Sequence, residues 1–159
     1  MKISKGDIDR IHKIINPLLG HTAWNVWLGI GTFITMEFGN QIITSHGFTR
    51  GEWHLWIYWS GWYLEKPGGV FIGCEDPRHI IKKEITIMEG CSLNNVVFSK
   101  KVFETKFVFD HNIVLHTFTM NFIDPEKYWL LYTPDGKVLS IGPAPKWSFE
   151  LSSKIRPEE

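Results

Sequence analysis

Short β-strands separated by turn residues fill most of the chain, and this pattern constrains the fold more than any other feature. Runs of branched and aromatic residues are bounded by turns such as Gly68-Gly69 and Pro134-Asp135-Gly136. Short turns of this kind connect antiparallel strands. Strands are predicted over residues 23–29, 32–38, 41–45, 52–65, 70–74, 93–99, 103–110, 113–121, 128–132, 137–141 and 147–151. Residues 52–65 are either one long strand or a strand with a bulge at Gly61.

Two amphipathic helices interrupt the strands. The first follows Ser4 and is predicted to end near Pro17, and its apolar stripe consists of Ile8, Ile11, Ile15 and Leu18. The second is predicted to have Asp76 as N-cap, Pro77 at its first position and Gly90 as its stop. Its apolar stripe consists of Ile81, Ile85 and Met88.

The order of elements indicates an internal repeat, because a helix and about five strands are followed by a helix and about five strands. Segments 39–40, 54–58 and 68–69 align with 111–112, 128–132 and 135–136. We predict an α+β fold that is mainly antiparallel β, in which about ten short strands form a barrel or sandwich with two helices. The helix plus meander is predicted to occur twice, related by a pseudo-twofold repeat. Residues 1–151 are expected to form a single domain with half-repeats 4–75 and 76–151, followed by a frayed charged tail, 152–159. Two unrelated antiparallel meanders are the alternative.

The charge balance argues against several classes of partner. The 159 residues contain 17 basic and 17 acidic side chains, so no net charge steers the protein toward nucleic acid or an anionic membrane. Apolar stretches are too short to span a bilayer, and the first residues do not resemble an export signal. Two distant cysteines, Cys74 and Cys91, indicate free thiols and a cytoplasmic location.

Ionisable residues inside apolar strands are the candidates for a binding site. Glu37 lies within a predicted strand, where burying an unpaired carboxylate would cost several kcal/mol. His54 and His116 occupy similar positions, and Trp56 and Tyr58 follow His54 on the same strand face. These five residues form the predicted binding pocket. Core histidines hydrogen-bonded to neighbours are the alternative, because strand register is not determined by the sequence.

Other kinds of chemistry lack a motif. The seven histidines show no zinc-ligand spacing, and Cys74 precedes two acids that disfavour a thiolate. We therefore predict no metal, no cofactor and no assigned catalytic residue. Most of the eight tryptophans are expected in the core, while Trp62 and Trp147, near loops, are the interface candidates.

Two strings, residues 29–39 (GIGTFITMEFG) and 51–58 (GEWHLWIY), resemble signatures of a family of short bacterial proteins without an assigned activity. The resemblance spans most of the chain and implies no cofactor or catalytic residue. In size, neutrality and aromatic content the chain also resembles immunity proteins of bacterial toxin systems.

Three functional hypotheses follow. The first is a non-catalytic bacterial binding module that acts through protein–protein contact, in an immunity- or antitoxin-like role. The second is a small-molecule carrier or sensor with an aromatic-lined pocket containing Glu37 and a histidine. The third is an acid–base enzyme that uses Glu37 with His54 or His116. Spare aromatic residues and an exposed strand edge would also favour a homodimer.

Overall fold

A computed structural model of the chain describes residues 3–99 and 103–154. Helices α1 (Lys5–Ile15) and α2 (Arg78–Glu84) continue into short 3-10 helices, Asn16–Leu18 and Ile85–Met88. Two further 3-10 helices span Asp110–Asn112 and Ser152–Lys154. The strands β1 to β11 of the described residues are, in chain order, Trp24–Leu28, Ile34–Ile43, Thr49–Ile57, Gly61–Lys66, Gly69–Gly73, Leu93–Phe98, Thr105–Phe109, Ile113–Phe118, Trp129–Tyr132, Lys137–Ile141 and Trp147–Leu151.

The strands form two sheets, and the predicted α+β class with antiparallel pairing is confirmed. One sheet has six strands in the order β1-β2-β3-β9-β10-β11, and the other has five in the order β5-β4-β8-β7-β6. Within the described residues neither sheet closes on itself, so the barrel alternative is not the one that forms. Side chains from both sheets and both helices share one buried cluster, which gives a sandwich-like arrangement.

The two halves of the chain repeat the same topology. Each half contributes a three-stranded meander to one sheet and a hairpin to the other. Hairpin β4-β5 of the first half extends meander β6-β7-β8 of the second half. Hairpin β9-β10 of the second half extends meander β1-β2-β3 of the first half. The segments that follow the helices also exchange equivalent backbone bonds. Ala23 N–H donates to Cys91 O at 2.9 Å, and Leu93 N–H donates to His21 O at 3.0 Å. Strand β11 extends only the six-stranded sheet.

The register corrects one of the predicted alignments between the halves. Residues 54–58 do not correspond to 128–132, because β3 and β9 are hydrogen-bonded neighbours in one sheet. Leu55 pairs with Met36 and Leu131, and Leu115 pairs with Phe107 and Leu64. The structural counterpart of β3 is therefore β8, and that of β9 is β4. The half-repeat boundaries and the single domain stay predictions, and tail residues 155–159 lie outside the described residues.

The long strand predicted over residues 52–65 is two strands in different sheets. Strand β3 ends at Ile57, where the N–H groups of Tyr58 and Trp59 donate to the backbone before β9. Strand β4 begins at Gly61, where a Cβ would lie 2.3 Å from ring atoms of Phe118. The chain thus crosses between sheets within three residues. Alternating aromatic residues continue through this crossing, which is why the sequence pattern conceals it.

The helix termini are partly as predicted. At the start of α1 the Ser4 hydroxyl accepts a hydrogen bond from Asp7 N–H at 3.0 Å, as a helix cap does. Asp76, predicted to cap α2, instead accepts from Gly73 N–H at 2.7 Å and closes the turn after β5. Pro77 occupies the N-cap position, so α2 begins one residue later than predicted. The helices cover the core through the predicted stripes, and Ile11, Ile15, Ile81, Ile85 and Met88 are all buried.

Candidate functional site

Glu37 and His54 form a close pair on the six-stranded sheet. They are directly opposite each other on β2 and β3. His54 Nδ1–H donates to Glu37 Oε1 at 2.6 Å, and Gly51 N–H donates to Glu37 Oε2 at 3.1 Å. The carboxylate is 5% exposed and accepts a bond at each oxygen, which offsets the penalty of its burial. The bond at Nδ1 leaves Nε2 as the ring nitrogen that remains for a ligand.

Trp56 and Tyr58 belong to an aromatic patch at the end of β3. The patch consists of Phe33, Trp56, Tyr58 and Trp59. The Phe33 ring centroid lies 5.0 Å from that of Tyr58 and 5.2 Å from that of Trp59, while those of Trp56 and Tyr58 are 4.9 Å apart. Trp59 is 52% exposed and the other three are half-buried. Tilted and edge-on packing of this kind holds the rings in fixed positions.

The outer face of the same sheet also carries unpartnered polar atoms. Across the described part of the chain, four buried side-chain atoms lack a hydrogen-bond partner, namely Arg50 Nε, Trp56 Nε1, Tyr132 Oη and Ser140 Oγ. Strand alternation and register place all four side chains on the face that carries Glu37 and His54. Their clustering on one face is notable, because native proteins pair nearly all buried polar groups.

Tyr132 has the most perturbed environment on this face. It lies opposite His54 on the neighbouring strand, with ring centroids 5.5 Å apart, and the Arg50 guanidinium carbon lies 5.4 Å from its ring centroid. Burial raises the pKa of the Tyr132 hydroxyl, while the charge of Arg50 acts in the opposite direction. The phenol therefore stays protonated to a higher pH than an exposed tyrosine does, and its O–H remains a hydrogen-bond donor.

His116 is not brought to this face. It lies on β8 in the five-stranded sheet, where its Nε2 and Glu65 Oε2 are 2.9 Å apart and its ring stacks on Tyr63 at 4.3 Å. His116 also lines a cavity of about 520 Å³ together with Lys106 and Tyr63. In the repeated topology it holds the position that Trp56 holds in the first half. The five residues of the predicted pocket are thus divided between two sheets, with His116 apart from the other four.

The two interface candidates differ in exposure. Trp62 is 1% exposed, and its indole N–H donates to Thr32 O at 2.7 Å, so its side chain belongs to the core rather than to the surface. Trp147 is half-buried at the start of β11, with the Arg10 guanidinium carbon 5.3 Å from its ring centroid. It also borders a cavity of about 400 Å³.

A recess beside Trp59 was not predicted from the sequence. This cavity of about 440 Å³ is lined by Trp59, Met120, Asn121, Asp124 and Glu126. The loop that forms it exposes large apolar side chains, because Met120, Phe122 and Ile123 are 54%, 73% and 98% exposed. The apolar residues at the start of this loop are predicted as part of a strand over residues 113–121, but β8 ends at Phe118, three residues before the predicted end. Apolar residues beyond a strand end are the feature that could have identified it.

No three His, Cys, Asp or Glu side chains among the described residues are grouped so that they could hold a metal ion. None of the helices in residues 3–99 and 103–154 has the length and apolar character needed to cross a membrane.

Comparisons with protein-family models, with curated proteins and with solved structures gave no match.

Proposed function

We propose that this protein is a non-catalytic binding module that takes a basic segment of a partner protein in the recess beside Trp59. One observation carries the proposal: the aromatic patch continues into a loop whose large apolar side chains face solvent. Trp59 belongs to both the patch and the recess, and Met120 also lines the recess. Contiguous exposed apolar surface of this kind marks interaction sites in folded proteins.

The charge at the recess favours a basic partner. Asp124 and Glu126 are exposed and line the recess, and none of its five lining residues is basic. A Lys or Arg side chain entering here would meet two carboxylates and the half-exposed face of Trp59. Aromatic anchors surrounded by a polar rim are the usual composition of an interface that has a few dominant contacts. An immunity-like protein that binds a basic toxin is the most concrete form of this proposal.

Glu37 and His54 supply the support for the acid–base alternative. Their 2.6 Å separation is the distance at which a carboxylate orients a histidine for proton transfer. An activity that is lost in Glu37→Gln while the fold is retained would favour that enzyme over a binding module. His116 takes part in neither the proposed interface nor the acid–base pair, since it lies on the other sheet.

The test begins with native mass spectrometry of the protein purified gently from its own host, which reports the mass of anything that remains bound. A bound protein is then purified, and its affinity is measured by calorimetry with wild type and with Trp59→Ala. We expect Trp59→Ala to weaken binding about thirtyfold, as the loss of a dominant aromatic contact does. Because the rim is acidic, binding should also weaken as salt concentration rises.

Trp27→Ala is the matched control, since Trp27 is 56% exposed, close to the 52% of Trp59, but lies on β1 beside Lys82. It should leave affinity unchanged. The combined variant Asp124→Asn/Glu126→Gln should weaken binding and flatten its salt dependence. A partner that binds Trp59→Ala and the double variant as tightly as wild type, an acidic partner, or no protein partner would each overturn the proposal.

A further inference from the structure

We propose that the cavity between β10, β11 and the loop before β9 is a binding site for a small organic oxyanion, a carboxylate or a phosphate monoester. The cavity measures about 400 Å³, within the range of small-molecule sites. It lies on the six-stranded sheet and shares Glu126 with the recess beside Trp59, whereas its other lining residues are not those of that recess.

Two neighbouring serines form the floor of this cavity. Ser140 on β10 and Ser148 on β11 are directly paired across the strands, so their side chains project from the same face of the sheet, and both line the cavity. Ser140 is 2% exposed, and its Oγ has no hydrogen-bond partner. A buried hydroxyl without a partner loses stability that a ligand oxygen could restore.

Two lysines supply the charge. Lys127 and Lys146 line the cavity from opposite loops, whereas Glu126 is its one acidic lining residue, so the cavity is net positive. Neither lysine makes an ion pair within 4.0 Å among the described residues. The polar side chains other than Glu126 are thus hydrogen-bond donors, which match the acceptor oxygens of a carboxylate or phosphate.

Two prolines add apolar surface to the lining, namely Pro125 and Pro143. This surface would contact the organic part of the ligand, and a bare inorganic ion would leave it uncovered. Trp147 also borders the cavity, but it pairs with the core residue Ile141, so its side chain projects from the face of the sheet opposite to Ser140 and Ser148.

The experiment is a nitrogen–proton NMR titration that follows the backbone N–H signals of Lys146 and Ser148, two residues that line the cavity. The probes are phenyl phosphate and benzoate, with neutral benzyl alcohol as the control. We expect saturable shifts with at least one anion and none with benzyl alcohol. The comparison of the two anions identifies whether phosphate or carboxylate is preferred.

Variants localise the binding. Lys127→Ala and Lys146→Ala should each weaken it about tenfold, as removal of one charge-assisted bond does, and Ser140→Ala should weaken it severalfold without unfolding. Lys83→Ala on α2 removes the same charge far from the cavity in sequence and should have no effect. Equal shifts with benzyl alcohol, no saturable shift with either anion, or anion binding unchanged in both lysine variants and Ser140→Ala would overturn the proposal.

Discussion

The Glu37–His54 pair allows a quantitative test of what the buried carboxylate contributes to folding. Glu37→Ala removes the acceptor for His54 Nδ1–H and for Gly51 N–H, which donate at 2.6 and 3.1 Å. A hydrogen bond to a charged group contributes about 1.5–3 kcal/mol, and an unsatisfied buried N–H adds a further penalty. We therefore expect Glu37→Ala to lower the free energy of unfolding by about 3–5 kcal/mol. Glu37→Gln, which retains one carbonyl acceptor, should lower it by about 1–3 kcal/mol.

Urea unfolding monitored by tryptophan fluorescence measures these changes, provided that the slope with denaturant stays constant. A double-mutant cycle with Glu37→Gln and His54→Ala should give a coupling of about 1.5–3 kcal/mol. The matched control is the cycle between Glu65 and His116, a pair at 2.9 Å in which the Glu65 side chain is 42% exposed. Solvent screening limits such a pair to roughly 1 kcal/mol or less.

The internal repeat provides a further variant. Glu37 and His54 flank the Met36–Leu55 pair just as Val108 and Val114 flank Phe107–Leu115. The fold therefore accepts a Val–Val pair at this register, so Glu37→Val/His54→Val should be less destabilised than Glu37→Val alone. The loss that remains, about 1–3 kcal/mol, reflects Gly51 N–H, which has no Glu37 acceptor in this variant. A loss below about 1 kcal/mol in Glu37→Ala, or a coupling no larger than in the Glu65 cycle, would refute this reasoning.

Two other predictions concern groups whose pKa values are raised by burial. Because the folded protein favours neutral Tyr132, the contribution of Tyr132 to the free energy of unfolding is fully present below about pH 10 and is lost as pH rises through the raised pKa. Urea titrations of Tyr132→Phe should show no such alkaline loss. At pH 7 this variant should be as stable as wild type or more stable by up to about 1 kcal/mol, because it deletes an unpartnered hydroxyl. Burial, with the Asp110 charge, also raises the pKa of the Cys91 thiol. A disulfide reagent should therefore label Cys91, measured in Cys74→Ser, at least about tenfold more slowly than half-buried Cys74, measured in Cys91→Ser. Equal labelling rates in the two variants would contradict the buried placement of Cys91.

Local sequence signals identified most of the elements but not their assignment to sheets. Alternation and turn residues predicted β5, β10 and both helices nearly to the residue, because these signals act over a few positions. The division of residues 52–65 between two sheets depends on the close approach of Gly61 to Phe118, which is a tertiary contact. Gly61 was the one local signal, and it predicts a bulge within a single strand as readily as a change of sheet.

The same limit explains the candidate site. The need of Glu37 for a donor was predictable from its apolar strand, and the donors are Gly51 N–H and His54. The separation of His116 from Glu37 was not, since both histidines alternate with apolar residues and only register distinguishes their sheets. The partner of His116 is Glu65 on β4, and the sequence pattern predicts β3 and β4 as one strand.

A repeat within one chain allows the requirements of the fold to be separated from features that the fold does not need. Positions that serve packing are alike in the two halves, as Leu55 with Leu115 and Leu64 with Leu131 illustrate. The departures from the repeat gather on the six-stranded sheet: Glu37–His54 replaces a valine pair, the loop exposing Met120 precedes β9, and β11 has no counterpart. Since in each case the other half satisfies the same topology without the feature, packing alone does not account for these features, and the binding function that we propose would use them.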